Sequence, residues 1–406
     1  MKYNFDKLVV RRGTDCMKWD ADAPFEGIGD MSDVIPMWVA DMDFETAPCV
    51  ARAVLERAQH PVFGYTNVPA EYYRSVVDWF SGRHGWTMDP SWILYTSGVV
   101  PAISAVIKAL VPAGGKVAVM TPAYNCFFSS IRNNDCVLAD CPLIYDHERT
   151  DGVNHLQPTF SIDYDRLESV CADPECNLLL FCNPHNPSGR VWTKDELEKV
   201  GEICLRHDVI IVSDEIHCEI VMPGFRYVPF ASVSEEIQHS CITLSSSSKA
   251  FNTAGLQIAN IISDNPEWRR KIDKAININE ICDVNPFGHV ALRAAYTEEG
   301  AEWLSQLNDY IWGNYCLLRD AFEAHLPEFP LCKMEGTYLA WFDCSVLGEM
   351  SAEEIENSLL ANEKVWINAG TMYGKDGFMR INLAAPRSRV TEGVSRIVRG
   401  LRRLMA

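Results

Sequence analysis

Short apolar runs recur along the chain, each flanked by polar or turn-forming residues. They are Ile93-Leu94-Tyr95, Val117-Ala118-Val119-Met120, Leu178-Leu179-Leu180-Phe181, Val209-Ile210-Ile211-Val212, Cys241-Ile242-Thr243-Leu244 and Ile258-Ala259-Asn260-Ile261-Ile262. Runs this short, rich in β-branched and bulky residues, have the pattern of strands buried on both faces. Between them the period lengthens. Val99 to Leu110 is apolar around most of its circumference, which predicts a buried helix. Lys194 to His207 carries Leu197, Val200, Ile203 and Cys204 on one face and follows Thr193, with Glu196 three residues on. That is a capping box, and it predicts a helix start. Strands alternating with helices predict an α/β, mostly parallel, doubly wound sheet with helices on both faces.

The C-terminal third reads differently. Trp303 to Glu323 predicts one long helix, and Tyr338-Leu339-Ala340-Trp341-Phe342 and Phe378-Met379-Arg380-Ile381-Asn382-Leu383 predict strands of a smaller α+β unit. At 406 residues the chain exceeds what one core usually fills. The expected division is an N-terminal segment 1–48 packing with the small domain, a large domain 49–290, and a small C-terminal domain 291–406.

Charge narrows the partners. A formal net charge of -19 repels phosphate backbones and anionic lipid, so nucleic-acid and membrane partners are not expected. The 15 cysteines show no regular disulfide spacing, the first residues hold no apolar leader core, and no run is long enough to cross a bilayer. The expectation is a cytoplasmic chain whose thiols are mostly small buried hydrophobes. Cys182-x-x-His185 and His217-Cys218 do not match structural zinc spacing, so no metal is expected.

Four segments carry candidate chemistry. Cys182-Asn183-Pro184-His185-Asn186-Pro187-Ser188-Gly189-Arg190 directly follows a predicted strand, at the sheet edge where open α/β folds bind ligands. It reads as a structural turn or as a loop offering the Asn186 amide to a ligand. Asp214 follows four apolar residues and should be buried at the same edge. It is either a capping or salt-bridged residue or the partner of a bound cation, because a buried carboxylate alone is costly. Lys249 follows four serines at a strand end, as a solvated loop residue or as an amine placed to meet an aldehyde. Thr96-Ser97-Gly98-Val99-Val100-Pro101 opens the buried helix, where free N–H groups attract phosphate.

Each segment is ambiguous by itself, but their order is distinctive. Helix-start loop, Tyr124, Asn-Pro loop, Asp and Lys follow one another as in pyridoxal-5'-phosphate (PLP) enzymes of the aspartate-aminotransferase fold, fold type I. Met37-Trp38-Val39-Ala40-Asp41-Met42-Asp43-Phe44, Asn183-Pro184-His185-Asn186-Pro187, Asp214-Glu215-Ile216-His217-Cys218 and Glu335-Gly336-Thr337-Tyr338-Leu339-Ala340-Trp341 resemble the MalY/PatB branch, known for cystathionine β-lyase or cysteine-S-conjugate β-lyase activity. The resemblance spans nearly the whole chain and implies a mostly parallel seven-stranded sheet.

It also implies roles. Lys249 would carry PLP and move the Cα proton, and Asp214 would pair with the pyridine nitrogen so that the ring withdraws electrons. Asn186 would bond the ring 3'-oxygen, His217 would also bind the cofactor, and Tyr124 would stack on the ring. Gly98, Val99, Val100 and Ser246 would hold the phosphate. Tyr65 would reach a neighbouring subunit's site, which implies a homodimer. Arg380 would clamp the substrate carboxylate, and Trp38 and Tyr338 would shape the side-chain pocket. Two positions depart from many aminotransferases: His217 where they carry Tyr, and Gln257 where they carry a phosphate-binding Arg. Both agree with the lyase branch. The leading expectation is a PLP-dependent carbon–sulfur β-lyase acting on a small amino acid. An aminotransferase for a small or aromatic amino acid is the alternative, and a regulatory protein that binds a transcription factor is the third.

Overall fold

The computed structural model describes residues 2–25, 28–147, 157–278 and 284–406. A seven-stranded sheet forms its centre, built from β1 (Ile93–Thr96), β2 (Lys116–Val119), β3 (Val137–Asp140), β4 (Cys176–Cys182), β5 (Ile210–Asp214), β6 (Cys241–Ser245) and β7 (Ala259–Ile262). The spatial order is β1-β7-β6-β5-β4-β2-β3. The β3–β2, β2–β4, β4–β5 and β5–β6 pairs are parallel, whereas β7 runs antiparallel to both β6 and β1. The six apolar runs of the sequence all lie in this sheet. The seventh strand, β3, has exposed Val137 and Leu138 at the sheet edge, so it lacks the continuous burial that marks the others.

Alternate residues of the parallel strands feed two cores. Leu178 and Leu180 face one side with Val117, Val119, Ile242 and Leu244, under the helix Val99–Leu110. Leu179 and Phe181 face the other side with Ile211, where the helix Lys194–Arg206 lays down Leu197, Val200, Ile203 and Cys204. The reciprocal capping box at Thr193 and Glu196 starts that helix. Period-2 alternation with apolar residues on both faces is what a doubly covered sheet requires.

Topology places the chemistry. Cys182 pairs with Asp214, and Asp214 with Leu244, so the ends of β4, β5 and β6 lie side by side. Two antiparallel steps across β7 make β1 parallel to β6, so Thr96 ends at the same edge, opposite Ala259. All four segments singled out in the sequence leave the sheet there.

After the central sheet, the helix Glu298–His325 leads to a three-stranded antiparallel sheet in which Phe378–Asn382 lies between Leu339–Asp343 and Asn368–Ala369. Near the start of the chain, Ile35–Pro36 pairs in parallel with Val365–Trp366. Among the described residues, no helix is long and apolar enough to cross a membrane, no group of His, Cys, Asp or Glu could hold a metal ion, and the cysteines are free thiols.

Candidate active site

A cavity of about 190 Å³ opens at the shared edge. Gly98, Val99, Val100, Tyr124, Asn186, Asp214, His217 and Lys249 all line it, so residues spread over some 150 positions of sequence converge on one space.

Asp214 ends β5 and is 3% exposed. Among the described residues its carboxylate accepts one hydrogen bond, from the Ile216 N–H at 3.1 Å. Burial pushes the carboxyl up to about 7, although that hydrogen bond and the nearby Lys249 charge favour ionisation. Lys249 is reached by the turn after β6, and its Nζ donates to the Ala40 carbonyl at 2.7 Å. Burial and the Arg380 charge push its amine down to about 8, against Asp41 and Asp214. An amine poised there is neutral often enough to act as nucleophile or base near pH 8. His217 is buried, and its Nδ1 has no partner among the described residues. Burial, with Lys249 and Arg380 close by, pushes the imidazole down to about 3, so it is neutral in ordinary buffers.

Arg380 comes from the small sheet and is 3% exposed. It donates to Asn186 Oδ1 at 3.2 Å and to the Trp38 carbonyl at 2.8 Å, and lies 4.7 Å over the Tyr373 ring. Its Nε is unpartnered among the described residues. A buried guanidinium bonded only to neutral acceptors leaves its charge for an anion from outside the chain. At the cavity, the N-terminus of the helix Val99–Leu110 presents first-turn N–H groups outside the helix's own ladder, with Ser97 and Ser248 among the lining residues.

Arg380 does not itself line the cavity and meets it through Asn186, and the remaining expected residues also lie off this wall. Ser246 is committed elsewhere, its hydroxyl donating to the Ile258 carbonyl at 2.6 Å, and Ser248 lines the cavity instead. Trp38 stacks on Trp366 with ring centroids 4.3 Å apart. Tyr338 is fully buried and spends its hydroxyl on the Ala40 carbonyl at 2.9 Å. Tyr65 is 96% exposed. Gln257 is exposed and does not line the cavity. Ala40 was not singled out in the sequence, and Ser97 and Ser248 were named there only within their segments. Ser248 sits in a four-serine run that offers no means of choosing among its members, and Ala40 acts through its backbone.

The model of aminotransferase class I and II matches residues 32–397. The chain belongs to this family. It is 36% identical to cystathionine beta-lyase PatB of Bacillus subtilis (strain 168), over 97% of this chain and 98% of that one. It is 33% identical to protein MalY of Escherichia coli (strain K12), over 98% and 99%. The crystal structure of cystalysin from Treponema denticola, which contains a pyridoxal 5'-phosphate cofactor, superimposes with a TM-score of 0.91 at 34% identity, covering 100% of both chains. These matches run the full length, so the fold type I architecture extends over both the central sheet and the C-terminal unit.

Proposed function

We propose that this protein is a PLP-dependent carbon–sulfur β-lyase that cleaves cystathionine or a cysteine S-conjugate to a thiol, pyruvate and ammonia. The observation that carries the reading is the meeting of Lys249 and Asp214 in one cavity, with Asp214 buried and short of a cation. The names of the relatives supply the preference for β-elimination over transamination.

The residues fit the cofactor. A carboxylate with one hydrogen bond has acceptor capacity for a protonated pyridine nitrogen. The helix start at Val99, with Gly98, Val100, Ser97 and Ser248, suits a phosphate, and Asn186, which lines the same cavity with His217, would bond the ring oxygen. Tyr124 lines the cavity and would stack on the ring. When bound, PLP supplies an electron sink for the charge left when a Cα proton is removed.

The chain's own side chains do the rest. Lys249 would hold the cofactor, and its Nζ, when free, would take the proton from the substrate Cα. Asp214, when ionised, would hold the cofactor's ring nitrogen in its protonated form. Arg380 binds the substrate carboxylate, and the free Nε adds a donor to that grip. His217, neutral through burial, adds no charge that would compete with the lysine. The working form is a homodimer in the cytoplasm. Tyr65, fully exposed here on an otherwise apolar stretch with Val62 and Phe63, would complete the neighbouring subunit's site.

The test is pyruvate release from L-cystathionine by the PLP-loaded protein without any 2-oxo acid, beside Lys249→Ala. Release by the wild type and none by the variant is the expected result. If an oxo acid is required before the substrate turns over, the protein is an aminotransferase.

A further inference from the structure

The segment from Met37 to Phe44 crosses the site with its backbone held from both sides. The Met37 carbonyl accepts from Asn382 N–H at 2.9 Å. The Trp38 carbonyl accepts from Arg380 at 2.8 Å and Asn368 at 3.0 Å. The Asn382 amide spans the next turn of chain, donating to Val39 at 2.5 Å and Asp41 at 2.6 Å. Asn252 donates to Met42 and Phe44, both at 2.9 Å. Asp43 is buried against Arg11 at 2.7 Å, Lys18 at 3.3 Å and Trp19 at 2.9 Å. A backbone so fully specified has one position for the carbonyl between Val39 and Asp41, that of Ala40. Two donors meet there: Lys249 Nζ at 2.7 Å and the Tyr338 hydroxyl at 2.9 Å.

We propose that the Ala40 carbonyl is the docking point of the Lys249 amine whenever that amine is free, and that Tyr338 is a positioning residue that sets how firmly it docks by sharing the same acceptor. The inference rests on the PLP reading, because only a cofactor-bearing lysine alternates between bound and free. A carbonyl oxygen bonds an ammonium more strongly than an amine, so docking favours the protonated lysine. A second donor on the same oxygen weakens the first. Tyr338 therefore eases release of the neutral amine, the form that attacks an aldehyde or takes a proton. The other charged or titratable groups around the amine are Arg380 from the small sheet, Asp41 from the crossing segment, Asp214 and His217 from the end of β5, and Cys126 and Tyr124 from the chain after β2. A change at Tyr338 leaves all of them in place.

The experiment is the rate at which the full-length cofactor-free chain captures PLP, followed by visible absorbance from pH 6 to pH 10. The rate rises with the neutral amine, so its inflection reports Lys249. Tyr338→Phe should move the inflection up by about half a unit, since the Ala40 oxygen then serves the ammonium alone. Asn382→Ser, which unties the flanking carbonyls, should move it down. Tyr315→Phe removes another buried hydroxyl, one bonded to the Cys332 carbonyl at 3.0 Å, and should leave the inflection unchanged. Opposite shifts from Tyr338→Phe and Asn382→Ser are not produced by general loosening, and either variant decides the matter if the other fails to fold. Inflections that coincide with wild type while PLP is still captured would overturn the docking role and leave the PLP reading standing. A wild-type chain that captures no PLP at any pH would overturn that reading itself.

Discussion

Asp214 and Glu219 lie five residues apart and are equally buried, each 3% exposed, yet the chain treats them in opposite ways. Glu219 receives Trp79 Nε1 at 2.6 Å, Arg83 Nε at 3.1 Å and His84 Nε2 at 2.8 Å. Burial works against its ionisation, but these donors outweigh it and hold the carboxyl below the usual range. Among the described residues Asp214 receives a single backbone N–H, and burial pushes its carboxyl up to about 7. A carboxylate that serves the fold is supplied with partners by the fold. One with no ion pair among the described residues, at the wall of a cavity and near a lysine of lowered pKa, is held for a ligand.

The comparison breaks most visibly in turnover. Asp214→Asn should lower kcat/KM for β-elimination by about 10²–10³-fold, the scale of losing one buried ion pair. Glu219→Gln should leave kcat/KM within a few-fold of wild type. Loss of turnover in both, with both folded, would erase the distinction.

Stability should show the reverse. Glu219→Gln strips charge from a satisfied cluster and should cost about 2–4 kcal/mol in urea unfolding. Asp214→Asn should stabilise the cofactor-free chain at pH 8 by a similar amount. The sign follows from linkage. Folding raises the Asp214 pKa from 3.8 to about 7, so the folded chain binds the extra proton. Stability is therefore greatest below the lower value and is lost as pH rises through about 7. The advantage of Asp214→Asn should vanish near pH 4. An advantage that persists there would mean that packing, not charge, is its source.

Under the proposed function PLP would supply the missing ion-pair partner, so the rise in melting temperature on adding it should be larger at pH 8, where Asp214 is ionised, than at pH 5. Equal rises at both pH values would argue that Asp214 does not meet the pyridine nitrogen. The smallest effect belongs to a residue outside both regions. Thr193→Ala removes a capping box and should cost about 1 kcal/mol with kcat/KM unchanged.

Much of the large sheet was legible in the sequence because buried strands are continuous apolar runs. The edge strand Val137–Asp140 was not, since its Val137 and Leu138 remain in solvent. Nor was the reversed direction of Ala259–Ile262, because a strand buried on both faces reads the same either way. In the site, the ends of strands put Asp214, Asn186 and Lys249 at one sheet edge, and only the family resemblance gave them roles. The Ala40 carbonyl could not, as backbone acceptors have no residue signature. Tyr338 was visible only as an aromatic residue in a strand, and its hydroxyl bond depends on a chain crossing 298 positions away.

The central claim is that Lys249 holds the cofactor over Asp214. Borohydride reduction of the PLP-loaded protein, followed by peptide mapping, tests it directly. The account predicts a phosphopyridoxyl group on the peptide containing Lys249 and none elsewhere. A label on any other lysine, or no label after PLP has bound, would contradict it.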